Sequence, residues 1–307
     1  MIVRIKAICN FSLRNLTKVV YRHWLLSVLV MLGVTLNPPR VKAQAVVPYT
    51  PEISSETLAP YGSQLLQDAV QLIRFQEYGL ALSRARLAAR LLPNQYETWF
   101  ILGTLHIQEG DNQAGVDAFV RAKDLAPDEP EVLFALGNAY FQVEDYESAI
   151  REIRAGLAFN SESPQAFFDL GNSYLQLGQF TDAIASYQQS YDLDEEFWPA
   201  INNIGLAEYE QGNKERAIAL WRDTVNIDQS QAEPLLAIAV GLYHQGRQTE
   251  AIRLGTQALQ LDGKYGNPEF LILNLWGENL MADTEVFFAN PTMKRVLEDN
   301  LIPLEDQ

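Results

Sequence analysis

Cysteine is nearly missing from this chain: Cys9 is the one thiol in 307 residues. Without a second cysteine no internal disulfide can form, so packing alone must hold the fold. Histidine is almost as scarce. The three present, His23, His106 and His244, show none of the paired spacings of a metal site. No Gly-Lys-Ser/Thr stretch follows a glycine-rich loop, and no Gly-x-Ser-x-Gly or paired-histidine motif occurs, which removes phosphate loops and serine or metal hydrolases. The run Asp192–Glu196, DLDEE, opens like a calcium loop. Its sixth position, where that loop needs glycine, is Phe197, and its twelfth, where a glutamate should stand, is Asn203. No enzyme, cofactor or metal is expected.

Positive charge is also scarce beyond the N-terminus. Residues 1–45 hold seven basic residues (Arg4, Lys6, Arg14, Lys18, Arg22, Arg40 and Lys42) and no acidic one. The remainder holds 16 lysines and arginines against 39 acidic residues, a net −23. Such a body repels phosphate backbones, which excludes nucleic acid as a partner. Long apolar runs are lacking too. Residues 24–36, WLLSVLVMLGVTL, form a 13-residue stretch, short of the roughly 20 residues that span a bilayer. It follows the basic segment and precedes Ala43-Gln44-Ala45, a small-x-small cleavage pattern. The order predicts a secretory signal over 1–45, cleaved before Val46, with an uncleaved membrane anchor as the alternative. Cys9 would leave with it. Residues 46–61, with Pro48, Pro51 and Pro60, read as a linker.

What is abundant is repetition. Gly103, Gly137, Gly171 and Gly205 stand 34 residues apart, and the same step outward lands on Ala69 and Ala239. Ala81, Gly115, Ala149, Ala183, Ala217 and Ala251 keep the same interval. A fixed period of this length is a repeat architecture. Within each unit, apolar residues recur at three- and four-residue spacing over two stretches, separated by a turn such as 176–179 or 211–213. That is two amphipathic helices per unit. The small residues permit close helix approach, and large ones such as Trp99, Leu133, Phe167, Phe119, Tyr187 and Trp221 fill the space beside them. No unit buries its apolar face alone, so neighbours must stack into a solenoid. His106, at the place of Tyr140 and Tyr174, reads as a packing residue.

This pattern resembles the tetratricopeptide repeat. The likeness covers residues 62–265 in six units, with Leu170-Gly171-x-x-Tyr174…Ala183…Tyr187 as its best match. The outer units depart most, with Asp68 and Ala69 where Leu-Gly is usual, and the turn glycine is Gln76 in the first unit and Glu144 in the third. The resemblance implies an all-α, right-handed superhelical solenoid of about six 34-residue helix-turn-helix units, closed by C-terminal capping helices over 266–307. The run 267–288 is expected to cover the open end, with a short helix over 291–300 behind it. The tail, with Leu275-Trp276-Gly277-Glu278 and Asn290-Pro291, is similar to the C-termini of exported tetratricopeptide proteins from cyanobacteria and plastids.

In this family the first helices line a concave groove that holds a protein or peptide client. The matching stripe here is Phe100, Phe134 and Phe168, then Asn138 and Asn172, then Ile107, Phe141, Leu175, Tyr209 and Tyr243, with Asn202 where the fifth unit lacks its phenylalanine. The lysine and arginine clamp of chaperone-binding relatives is missing, since only Arg74 lies beside the stripe. An extended client segment is expected, with apolar side chains on phenylalanine and backbone groups bonded to asparagine. The resemblance further implies a scaffold in the periplasm or thylakoid lumen that aids assembly or stability of a membrane complex, photosynthetic in a cyanobacterium. The alternative is a permanent structural subunit of an envelope or membrane-associated complex. The client and the oligomeric state stay open.

Overall fold

A computed structural model describes residues 55–300. The expected signal segment and its cleavage site lie outside the described residues. Six helical hairpins follow one another: α1 (Ser55–Arg74) with α2 (Tyr78–Leu91), α3 (Tyr96–Gln108) with α4 (Asn112–Leu125), α5 (Pro130–Gln142) with α6 (Tyr146–Phe159), α7 (Pro164–Gln176) with α8 (Phe180–Leu193), α9 (Trp198–Glu210) with α10 (Lys214–Ile227), and α11 (Ala232–His244) with α12 (Gln248–Leu261). No strand occurs among the described residues. Each helix packs on its hairpin partner, and each second helix packs on the first helix of the next hairpin. The six-unit helical solenoid is the fold.

Local chemistry sets the helix ends. Asp111, Asp145 and Ser163 cap their helices by accepting from the amides of Ala114, Ser148 and Ala166, which satisfies donors that the first turn leaves unpaired. Pro130, Pro164 and Pro199 sit in first turns, where a missing N–H costs nothing. The hairpin turns need a left-handed residue. Gly110, Gly178, Gly212 and Gly246 supply it with φ between 66 and 85°, while Gln76 and Glu144 are held at 61 and 62°. Close approach is visible at Gly171, where an added Cβ would lie 2.5 Å from the Tyr187 ring.

The chain differs from expectation at both ends of the stack. Helix α1 begins at Ser55 and runs through Pro60, so part of the expected linker is helical. Gly62 lets this segment approach the end of α2, where an added Cβ would lie 2.6 Å from Leu92 Cγ. That tertiary contact carries the helix back across a residue that removes one hydrogen bond. At the other end a short 3₁₀ turn, Gly263–Gly266, leads to α13 (Pro268–Leu273), α14 (Glu278–Phe288) and α15 (Pro291–Asn300). α15 and the 3₁₀ turn pack on α12 at the end of the stack, whereas α14 packs on α9 and α11, the first helices of the last two units, and reaches α12 with Phe287 over Gly255. The run 267–288 is therefore a strap across the first-helix face rather than an end cap.

Candidate functional site

The strap divides the predicted stripe in two. On the N-terminal side the three phenylalanines are half-buried. Phe100 sets its ring edge on Phe119 at 5.6 Å, and Phe168 lies against Tyr187 at 5.6 Å and Phe197 at 5.3 Å. Phe134 packs over Gly156, where a Cβ would stand 2.5 Å from its ring. These rings are seated against second helices and the next unit; they do not stand free on the face. Asn138 is exposed, and half-buried Phe141 leans on Tyr146 at 5.3 Å. Asn172 is spoken for in part, since its Oδ1 accepts from Tyr187 Oη at 2.8 Å and Asn203 Nδ2 at 3.0 Å.

Asn138, Phe141 and Asn172 nonetheless come together. With Gln142 and Asp169 they line an open pocket of about 240 Å³. Asp169 was not singled out from the sequence. Burial pushes its carboxyl up to about 6, against the lowering effect of hydrogen bonds from Gln165 and Asn138; Gln165 Nε2 donates at 2.8 Å. Its register offered a signal: the same place in neighbouring units holds Ile101, Ala135, Asn203 and Ala237. An acid at a position otherwise apolar or neutral marks a site that the fold alone does not ask for.

On the C-terminal side the stripe is covered. Asn202 is 1% exposed and Tyr209 fully buried, which corrects the expectation that Asn202, Tyr209 and Tyr243 face an open groove. Tyr209 Oη and Lys214 Nζ each donate to Asp283 Oδ2 at 2.6 Å, and His244 Nδ1 lies 3.1 Å from its other oxygen. Burial pushes the Asp283 carboxyl up, but the donors Lys214 and Tyr209 and the charges of Lys214 and His244 outweigh it and hold the group below its usual range. Glu210 accepts the amides of Leu280 at 2.9 Å and Asn279 at 3.0 Å, so a carboxylate meets the positive end of α14. Phe287 is buried over Gly255 and 5.2 Å from the Tyr243 ring, and Asn290 Nδ2 donates to Tyr243 Oη at 3.4 Å. Upstream, Trp276 Nε1 donates to Glu233 at 3.0 Å, both residues being buried. Every one of these partners belongs to the chain itself.

His106 is buried, with Nδ1 3.4 Å from Asp111. Among the described residues no group of three or more His, Cys, Asp or Glu is placed to hold a metal ion, and no helix is long and apolar enough to cross a membrane.

Sequence models of the tetratricopeptide repeat match residues 96–129, 134–198 and 202–265, together just over half of the chain. Among solved structures, PilW, described as a widely conserved type IV pilus biogenesis factor, is 19% identical with a TM-score of 0.60 over 69% of this chain and 98% of its own. YrrB, described as a tetratricopeptide protein with an unusual peptide-binding site, is 16% identical with a TM-score of 0.51, covering 59% of this chain and 97% of its own. MamA from Desulfovibrio magneticus RS-1 is 20% identical with a TM-score of 0.53, covering 55% and 96%. At these identities the likeness is one of fold. None of the curated proteins matches the sequence.

Proposed function

Because the chain belongs to the tetratricopeptide repeat family, we propose that it is a non-catalytic protein–protein interaction scaffold whose client lies on the first-helix face of the first four units. The observation that carries this reading is the division of that face. Its last two units are filled by the chain's own α14, whose polar groups find partners there in Glu210, Tyr209 and Tyr243. The open part keeps a pocket whose exposed Asn138 amide and half-buried Phe141 ring suit an extended segment. An asparagine amide donates to and accepts from a peptide backbone, and a ring edge takes an apolar side chain. Asp169 adds an acceptor for a lysine or a free amine on the client.

The basic, apolar and small-residue order of residues 1–45 supports export to a periplasm or thylakoid lumen. There the scaffold would hold a subunit of a membrane complex during assembly. Affinity capture after crosslinking identifies the client, and calorimetry with the purified client tests the face. Phe141→Ala removes an apolar contact worth about 1.5–3 kcal/mol when fully buried. It should weaken binding by roughly tenfold, and Asn138→Ala by less, about 0.5–1.5 kcal/mol. If both variants stay folded and bind as the parent does, the client sits elsewhere.

A further inference from the structure

The strap has a second consequence for the open part of the face. Where it meets unit four it leaves a cavity of about 710 Å³, within the range that holds a small ligand or several side chains. Unit four contributes Leu175 and Gln176 from the end of α7 and Phe180 from the start of α8. The strap contributes Leu275, Trp276 and Met281. The cavity exists only because the strap is docked.

Its lining is one-sided in charge. Three carboxylates reach it, Glu210, Glu278 and Glu285, and no lysine, arginine or histidine does. Glu210 is engaged by the amides of α14. Glu278 and Glu285 are exposed, and neither side chain takes part in a hydrogen bond or ion pair among the described residues. The strap also leaves apolar side chains uncovered at this edge: Ile272, which lines the cavity, is 58% exposed, and Val286, beside Glu285, is 62% exposed. Exposed apolar surface next to unpaired charge of a single sign marks a contact site.

We propose that this cavity docks a basic, apolar segment of the client, with one or two bulky apolar side chains entering between Phe180 and the strap and flanking lysines or arginines paired with Glu278 and Glu285. This rests on the reading of the first-helix face as the client face, and it names the chemistry that the face selects. A second copy of this chain fits poorly, because its body carries a net −23 beyond residue 45.

The probe is a short labelled peptide with a central Leu-Phe pair between lysine-rich flanks, titrated by fluorescence anisotropy into the full chain beside a twin with glutamate flanks. The lysine-flanked peptide should bind about tenfold tighter, as expected for two exposed ion pairs replaced by repulsion, and high salt should shrink that gap. Glu278→Gln with Glu285→Gln should bring the two peptides within about twofold of each other. Gln176→Trp, at an exposed position on the cavity wall, should block both peptides while circular dichroism stays unchanged. Equal binding of the twins, or binding untouched by Gln176→Trp in a folded protein, overturns the proposal. So does concentration-dependent self-association, seen by sedimentation, that Gln176→Trp abolishes; the occupant would then be a second copy. A cavity that fails while the client still depends on Phe141 refutes this inference and spares the broader reading.

Discussion

Replacing Glu233 with glutamine tests how the strap is held. Glu233 lies in α11, whose residues Ala232 to Leu242 are all buried, and it accepts the Trp276 indole N–H. Burial pushes its carboxyl from an ordinary 4.5 up to about 7, against the lowering effect of hydrogen bonds from Trp276, Asn202 and Tyr265. A raised pKa means that the folded chain binds this proton more tightly than the unfolded one. Its contribution to stability is fully present below pH 4.5 and is lost as the pH rises through about 7. At about 1.4 kcal/mol per pH unit, that interval corresponds to at most about 3.5 kcal/mol. Glutamine keeps the carbonyl for Trp276 and carries no charge to desolvate. Glu233→Gln should therefore match the parent at pH 4 and exceed it by about 1–3 kcal/mol at pH 8. Urea unfolding at both pH values measures the difference, and hydrogen exchange at the Trp276 indole shows whether the gain lies in the strap. An equal gain at both pH values, or a loss at pH 8, would refute the argument that a buried charge opposes docking.

Phe287→Ala empties a fully buried site under Tyr243 and Gly255 and should cost about 3–5 kcal/mol; hydrogen exchange should show lost protection in α14 and α15 with the first four units unchanged, whereas a uniform loss would mean that the strap is part of one cooperative core. Gly171→Ala forces a methyl into the Tyr187 ring and should destabilise by about 1–3 kcal/mol. Glu144→Gly relieves a left-handed residue and should stabilise by up to about 1 kcal/mol, with thermal melts reading both. Removing residues 96–129, one whole period, should leave a folded and less stable helical protein, because stability in a solenoid is close to a sum over units and interfaces. Removing half that length should break the phase and expose apolar faces, and equal tolerance of the two deletions by circular dichroism would contradict the stacking argument.

The hairpins were legible because each unit carries its own instructions. Asp145 and Ser163 cap, Pro130 and Pro164 start helices, and Gly171 makes room for Tyr187 within the same 34 residues. Even Glu144, a poor residue for a left-handed turn, adopts it because the helices on either side leave no other path. The stripe residues do lie on the first helices of their hairpins, but which of them stay open was not legible. Amphipathicity says that residues 267–288 have a face to bury and leaves the choice of surface to the rest of the fold. The contacts that decided it span 43 residues from Glu233 to Trp276 and 74 from Tyr209 to Asp283, far outside any period. One sign was there to be seen in α11, AEPLLAIAVGLYH. A helix apolar on every side must be covered on every side, and two neighbouring hairpins cannot cover the first-helix face. Sequence alone therefore determined the units, their number and their stacking, since these follow from contacts within one repeat and its neighbour. Only the tertiary structure decided that the chain would use its own C-terminal helix to fill the last two units of its first-helix face, because that choice rests on matching a distant carboxylate, a phenol and an indole in three dimensions.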